Sequence, residues 1–161
     1  MNVLKNKHVL VASLVAPVLA LIAWFAVDYL FGEKPHAAVE GASYALVEKP
    51  DCRWESGHCG LKNNDFELTI GFERLPGGRL RLQLDSVFPL DGVVLALVLE
   101  GRETQPPQSM RPASPDGLRW TLDTAPIRAG EERVRLVAAS GGVDYFGEAS
   151  TAFLREAGTA D

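Results

Sequence analysis

Histidine is scarce in this sequence, and that scarcity limits the chemistry the chain can perform. The 161 residues include three histidines, His8, His36 and His58. A serine triad needs an imidazole base that an acid holds in place, and none of the three lies at the end or in the core of a predicted strand. The carboxylates are scattered over predicted polar faces and turns, as on a solvated surface. We therefore nominate no catalytic residue, and we expect that the protein is not an enzyme.

Cysteine and methionine are also few, and both cysteines lie in one short stretch, CRWESGHC, from Cys52 to Cys59. The spacing differs from the CxxC of redox enzymes. A copper or thiol site on Cys52, His58 and Cys59 is the alternative, but beyond residue 36 the chain adds only Met110 as a further soft ligand. In an oxidising compartment two cysteines of a small domain usually pair. We predict a disulfide that stabilises the fold by about 2.5 kcal/mol.

Charge is absent from a long stretch near the N-terminus, VLVASLVAPVLALIAWFAV, residues 9–27. With the four residues that follow, the run reaches the length of a membrane-spanning helix. Nearby positions lack the small-x-small pattern of a signal-peptide cleavage site, so we predict an uncleaved anchor. Lys5 and Lys7 precede the run, which places the N-terminus in the cytoplasm and the rest of the chain in the periplasm. The predicted location is the inner membrane, with a single pass.

These features divide the chain into five segments. The predicted boundaries are a cytoplasmic tip at 1–8, a transmembrane anchor at 9–31, a linker at 32–42, a periplasmic domain at 43–154 and a flexible tail at 155–161. About 110 residues are enough for one domain with a single hydrophobic core.

Small residues recur along one face of the predicted helix. Ala12, Ala16 and Ala20 are four residues apart, which is the spacing that lets two transmembrane helices approach closely. Pro17 lies beside them and leaves one carbonyl without its usual donor, which a neighbouring helix can help to satisfy. The alternative is that alanine is simply common in such helices. The pattern alone does not separate the two interpretations.

Basic residues are too few for a nucleic-acid partner. The chain carries 16 lysines and arginines against 21 aspartates and glutamates, a net charge of −5. Binding to phosphate backbones requires a basic surface. We therefore expect protein partners and the lipid bilayer, and no nucleic acid or cofactor.

Helical periodicity is absent beyond residue 32, where the apolar residues alternate with polar ones. Residues 66–73 and 80–84 alternate on either side of Leu75-Pro76-Gly77-Gly78, which predicts a hairpin. Residues 93–99 are apolar on both faces, as in a central strand. Further strands are predicted at 43–48, 118–122, 133–138 and 143–154, about seven in total. Residues 101–117 hold four prolines and are predicted to form a long loop. The pattern predicts an all-β protein, an immunoglobulin-like antiparallel β-sandwich after one transmembrane α-helix.

Arginines occur at outward positions of the predicted strands. If they lined one sheet, they would form a surface for an acidic partner or for lipid head groups. The other interpretation is that each arginine pairs with an acid on a neighbouring strand. The candidate partner-contact residues are Arg79, Arg81, Arg119, Arg133, Arg135 and Met110 of the proline-rich loop.

Two segments of the domain carry a resemblance to a known family. FPLDGV at residues 88–93, leading into an apolar strand, and DGLRW at 116–120 resemble the FixH-like family of membrane-anchored proteins over residues 80–154. The resemblance implies a role in the assembly of haem-copper oxidases. Residues 52–59 also resemble the start of proteobacterial anchored proteins whose sandwich has a methionine-rich loop. Here that loop retains only Met110, a departure that argues against a metal role.

Together these features predict a membrane-anchored periplasmic protein-binding module. We expect an accessory or assembly subunit of an inner-membrane complex, with a respiratory oxidase as the candidate complex. The helix and the periplasmic domain would both contact subunits of that complex. The alternative function is a periplasmic copper or thiol carrier that uses Cys52, His58 and Cys59.

Overall fold

The computed structural model describes residues 7–31 and 38–155, and the helix side chains as far as residue 27. It divides into two compact units, Met1–His36 and Ala37–Asp161. The predicted cytoplasmic tip, linker and tail fall largely outside the described residues.

Among its described residues the first unit contains one helix, α1, Lys7–Phe31, with Pro17 inside it. Its stretch Lys7–Val27 has a mean hydropathy of 2.5, and its length and composition suffice to cross a membrane. The large apolar side chains from Leu10 to Val27 are exposed, Leu14 and Phe25 among them. The predicted apolar N-terminal helix is thus present.

The second unit contains twelve strands among the described residues. They are β1 Ser43–Ala45, β2 Val47–Glu48, β3 His58–Asn63, β4 Phe66–Arg74, β5 Leu80–Ser86, β6 Gly92–Leu99, β7 Arg102–Glu103, β8 Gln108–Ser109, β9 Arg111–Pro112, β10 Arg119–Thr124, β11 Arg133–Ser140 and β12 Val143–Ser150. Short 3₁₀ turns lie at Pro50–Arg53, Pro76–Gly78 and Ala152–Leu154.

The strands form two sheets that enclose one core. The first sheet has the order β1-β12-β11-β6-β7, with β8 also paired to β6, and the second has the order β2-β3-β4-β5-β10-β9. Side chains that alternate along β4, β5 and β11, such as Leu68, Leu82 and Leu136, are buried between the sheets. This arrangement fits the predicted β-sandwich.

The chain changes sheets at two buried side chains. Leu46 lies between β1 in the first sheet and β2 in the second, and Met110 lies between β8 in the first sheet and β9 in the second. The Met110 N–H donates to the Val93 carbonyl at 2.9 Å, and the Leu46 N–H donates to the Phe146 carbonyl at 2.7 Å. Because the chain leaves one sheet for the other at these points, the edge strands β1, β2 and β9 are short. Short edge strands limit the exposed backbone available for sheet extension.

The predicted hairpin at residues 66–84 is confirmed, with β4 antiparallel to β5 and a 3₁₀ turn between them. Three other predictions are wrong. The strand β3 lies where we predicted no strand, β1 runs parallel to β12 in a sheet predicted to be antiparallel, and the proline-rich loop contains β7, β8 and β9. In addition, β12 ends at Ser150 and a 3₁₀ turn follows.

Candidate functional site

The cysteine segment forms a fixed turn. Cys52 lies in the 3₁₀ turn Pro50–Arg53 and Cys59 lies in β3, and the two are joined by a disulfide. Both cysteines are fully buried. The predicted disulfide is therefore confirmed, and it joins a turn to a strand.

His58 lies outside this buried pair. Its exposed ring has Nε2 3.4 Å from Asp51 Oδ2 and Nδ1 3.1 Å from the Ser56 carbonyl. Asp51 Oδ1 also accepts from the Gly60 N–H at 3.2 Å, so Asp51 ties the turn to β3. Among residues 7–31 and 38–155, no group of three histidine, cysteine or acidic side chains is placed to hold a metal ion. Since the bridge occupies both thiols, the carrier hypothesis requires the disulfide to open first.

The same turn presents an aromatic side chain to solvent. Trp54 directly follows the 3₁₀ turn, its N–H donates to the Asp51 carbonyl at 3.4 Å, and its side chain is 69% exposed. Exposed tryptophans on fixed backbone are common anchors in protein interfaces. The disulfide therefore holds in place a tryptophan that was not among the predicted contact residues.

The candidate arginines are divided between the sheets, so they do not line one surface. Arg81 and Arg119 lie on the second sheet. Arg81 makes a two-pronged contact with Asp123 at 2.7 and 3.2 Å, and Arg119 contacts Asp85 at 2.7 Å. In both cases the partners lie directly opposite each other on β5 and β10. The Arg81 hydrogen bond lowers the pKa of the Asp123 carboxyl.

The remaining arginines are also near acids. Arg79 approaches the Asp123 carboxylate at 4.0 Å. On the first sheet, Arg135 bonds to Glu148 at 2.7 Å, and Arg133 lies 3.3 Å from Glu48 and 3.4 Å from Glu148. The arrangement matches the interpretation in which each arginine pairs with an acid on a neighbouring strand.

Met110 is unsuited to the contact role that we predicted for it. Its side chain is 4% exposed and belongs to the core between the sheets. A buried methionine fills space among apolar neighbours. Met110 is therefore a packing residue at a sheet crossover.

An exposed apolar row crosses the outer face of the first sheet. Val137 on β11 lies directly opposite Val94 on β6 and Phe146 on β12. The three side chains are 41%, 41% and 46% exposed, respectively. The Arg135–Glu148 ion pair lies on the same face, two residues along the strands. This apolar row, Val94, Val137 and Phe146, has an apolar centre with a polar border, as protein-binding surfaces do.

The apolar row was not among the predicted contact residues, although the sequence carries a signal for it. In RVRLVAAS the outward positions are arginine, arginine and then valine, so the polar face changes character at Val137. At Val94 the signal is hidden, because residues 93–99 are apolar without interruption.

A shallow polar cleft lies where the chain crosses from β8 to β9. It has a volume of about 470 Å³, and its lining includes Arg81, Gln108, Arg111 and Thr121. Asp123 also lines the cleft and already holds Arg81. The cleft is therefore an open polar surface whose charges are partly paired.

The small-residue stripe of α1 lies on a regular helix. Ala12, Ala16 and Ala20 are all exposed, and residues four apart share a helix face. Pro17 lies inside the helix beside them. The helix thus leaves the stripe open to a partner helix.

No family model matches this chain, and no curated protein matches it. Among solved structures, the chain is similar to one titled "Crystal structure of Br derivative BhCBM56", with a TM-score of 0.40 and 13% identity. The match covers 54% of this chain and 89% of that one. At that TM-score the similarity informs neither fold nor function. The class that the structure defines is a two-sheet β-sandwich preceded by an apolar helix.

Proposed function

We propose that this protein is a membrane-anchored, periplasmic protein-binding module, an accessory or assembly subunit of an inner-membrane complex. The observation that carries the proposal is the apolar row on the first sheet. A respiratory oxidase is the candidate complex, from the resemblance to FixH-like proteins. The partner surface is an apolar strip on the periplasmic part of another membrane protein.

Membrane attachment rests on the helix. Its apolar side chains are exposed on all sides, an arrangement that is costly in water and favourable in hydrocarbon. Lys5 and Lys7 before it favour a cytoplasmic N-terminus. The disulfide between Cys52 and Cys59 agrees with an oxidising compartment for the sandwich. These observations support a single-pass topology with the domain in the periplasm.

The strand order supports an immunoglobulin-like fold. In that fold, one sheet has strands A, B, E and D, and the other has G, F and C. Here β4-β5-β10-β9 and β12-β11-β6-β7 are arranged in the same way if β4 is taken as strand A. The strands β1, β2 and β3 then precede strand A as additions. The apolar row falls on the face of strands G, F and C.

Because the domain is tethered to the membrane, a small apolar contact surface is sufficient for partner binding. Anchoring restricts the domain to a thin layer above the membrane, and that restriction raises the effective concentration of membrane-bound partners. On one side the apolar row is flanked by the paired charges of Arg135 and Glu148, so binding leaves no unpaired charge on that side of its border. The row is therefore suited to a partner in the same membrane.

The test is purification of the tagged full-length protein from its native membrane in mild detergent, followed by mass spectrometry. We expect a membrane protein at comparable amounts with the wild type and its loss with Val137→Glu. The matched control is Gln83→Glu, which adds the same charge on the outer face of the second sheet, on the central strand β5. Retention of the partner by Val137→Glu, or absence of any stoichiometric partner, would contradict the proposal. Circular dichroism of both variants checks folding.

The helix contact needs its own variants. Replacing Ala16 and Ala20 by leucine puts bulky side chains on the small-residue stripe, so close helix packing is lost. Leu14→Phe is the control, because residue 14 points away from the stripe. If both variants retain the partner, the helix serves only as an anchor.

A further inference from the structure

One end of the sandwich is defined by three segments, of which the last contacts each of the other two. These are residues 39–42, 87–91 and 140–143, and we call them together the N-terminal end. The Gly41 N–H donates to the Gly142 carbonyl at 2.8 Å, and the Asp91 N–H donates to the Ala139 carbonyl at 2.8 Å. The Ser140 hydroxyl donates to the Pro89 carbonyl at 2.7 Å. The chain therefore enters the domain beside residues 140–143, which also contact residues 87–91.

This end exposes three apolar side chains. Val39, Val87 and Phe88 are 62%, 56% and 44% exposed. Leu90, in the same segment, is buried, and its N–H donates to the Gly117 carbonyl at 3.0 Å. The exposed side chains therefore project from a backbone that is fixed to the core.

Stacked rings support these side chains from within. Phe88 stacks on Phe66 at 6.2 Å between centroids, and Phe66 stacks on Tyr145 at 3.6 Å. Tyr145 in turn faces Tyr44 at 5.9 Å, and the Tyr44 hydroxyl accepts from the Val39 N–H at 3.1 Å. Val39 and Phe88 thus lie at opposite ends of a row of four rings.

We propose that the N-terminal end rests on the membrane surface, with Val39, Val87 and Phe88 in the interfacial layer of the bilayer. This inference rests on the membrane attachment in the proposed function. Seven peptide steps separate Phe31 from Ala38, which allow at most about 25 Å. Of the two ends of the sandwich, the N-terminal end is the one this tether brings closest to the bilayer.

Val39 and Phe88 are separated by the row of four rings, and this separation favours lipid over a second protein surface. A protein partner needs a pocket shaped for each separate apolar side chain, whereas a fluid interface accommodates them at any spacing. Aromatic and aliphatic groups at the interface are favourable because they leave water while nearby polar groups stay hydrated. Exposed carboxylates at this end, Glu40 and Asp91, repel anionic head groups. The occupant is therefore a zwitterionic lipid surface.

The experiment uses the full-length protein reconstituted into phosphatidylcholine vesicles without any partner protein. Phe88→Trp is introduced together with Trp24→Phe and Trp54→Phe, so that neither the helix nor the exposed Trp54 contributes emission. Trp120 is buried and gives the same background in every sample. The control carries the same two replacements with Gln83→Trp, a position on the outer face of β5. Lipids brominated near the head group then report contact with the interface.

We expect bromine quenching and a blue shift for tryptophan at position 88 and neither for tryptophan at position 83. Val87→Trp, a second probe beside Phe88, should behave as position 88 does. The inference is overturned if the probes at 87 and 88 are quenched by aqueous iodide as fully as the probe at 83 and are insensitive to bromine.

A parallel sample that retains Trp24 separates the two proposals. If brominated lipid quenches Trp24 in this sample but does not quench the probe at 88 in the other, the helix inserts and only this inference fails. If Trp24 is not quenched either, the anchor fails, and both proposals fail with it.

Discussion

The Glu48 carboxylate on β2 accepts a hydrogen bond from the backbone N–H of Ser150 on β12, with 2.9 Å between Oε2 and N. The two residues belong to different sheets. The same carboxylate contacts Arg53 at 2.9 Å and Arg133 at 3.3 Å. Glu48 thus joins the edge strand of the second sheet, the disulfide turn and the first sheet.

Glu48→Gln should lower the free energy of unfolding by about 1–2 kcal/mol, because it weakens charge-assisted hydrogen bonds at a largely buried group. The measurement is urea unfolding of the full-length protein in detergent at neutral pH. Glu55→Gln is the control, since Glu55 is exposed in the same segment. Equal losses in the two variants would show that the linking role assigned to Glu48 is wrong.

The stabilisation by Glu48 should depend on pH. Burial raises the pKa of the Glu48 carboxyl, but hydrogen bonds from Arg53 and the Ser150 N–H, with the charge of Arg133, outweigh it and lower the pKa below its ordinary 4.5. A carboxyl with a lowered folded-state pKa contributes stability above the unfolded pKa and loses it as the pH falls through the folded pKa. The stability difference between wild type and Glu48→Gln should be constant near neutrality and shrink below about pH 4.5. An unchanged difference in acid would contradict this assignment.

Gly117 occupies a turn that only glycine fits well. Its φ is +71°, and an added Cβ would lie 3.1 Å from the Leu90 carbonyl oxygen. Gly117→Ala should therefore destabilise the domain by about 1–2 kcal/mol. Gly92→Ala is the control, because a Cβ there meets nothing within 4 Å. The comparison of urea midpoints tests the prediction, and equal midpoints would refute it.

Met110 should behave as a core residue. Met110→Ala should cost about 2–4 kcal/mol through loss of buried contacts and the cavity left behind, whereas Met110→Leu should cost less than about 1.5 kcal/mol. Partner binding by Met110→Leu should equal that of the wild type. A variant that stays fully stable but loses the partner would restore the contact role that the sequence suggested.

The fold was predictable where a strand has one solvent-exposed face and one buried face. In β4 and β5 the alternation of Leu68 and Ile70 with Thr69, and of Leu82 and Leu84 with Gln83, reflects one buried and one solvated face. The turn residues between them completed the hairpin signal. Such strands follow from local patterns alone.

The strand β3 was not predictable, because its central residues are buried on both faces. Cys59, Gly60 and Leu61 are consecutive and all buried, so no alternation marks them. The parallel pairing of β1 with β12 joins residues about 100 positions apart over three pairs, and no local pattern encodes it. The apolar row likewise exists only once Val137 is in register with Val94 and Phe146.

The disulfide should stabilise the domain and resist reduction while the domain is folded. Cys52 and Cys59 are seven positions apart, and closing so short a loop contributes about 2.5 kcal/mol on the chain-entropy model. Since both sulfurs are buried, a reductant reaches them only after local opening. Guanidinium unfolding of the full-length protein in detergent should therefore give a lower midpoint after reduction under denaturing conditions and refolding. Addition of the same reductant to the folded protein should leave the midpoint unchanged at first. Rapid reduction of the folded protein would mean that the Pro50–Arg53 turn opens readily, and that opening is the condition that the copper or thiol carrier hypothesis requires.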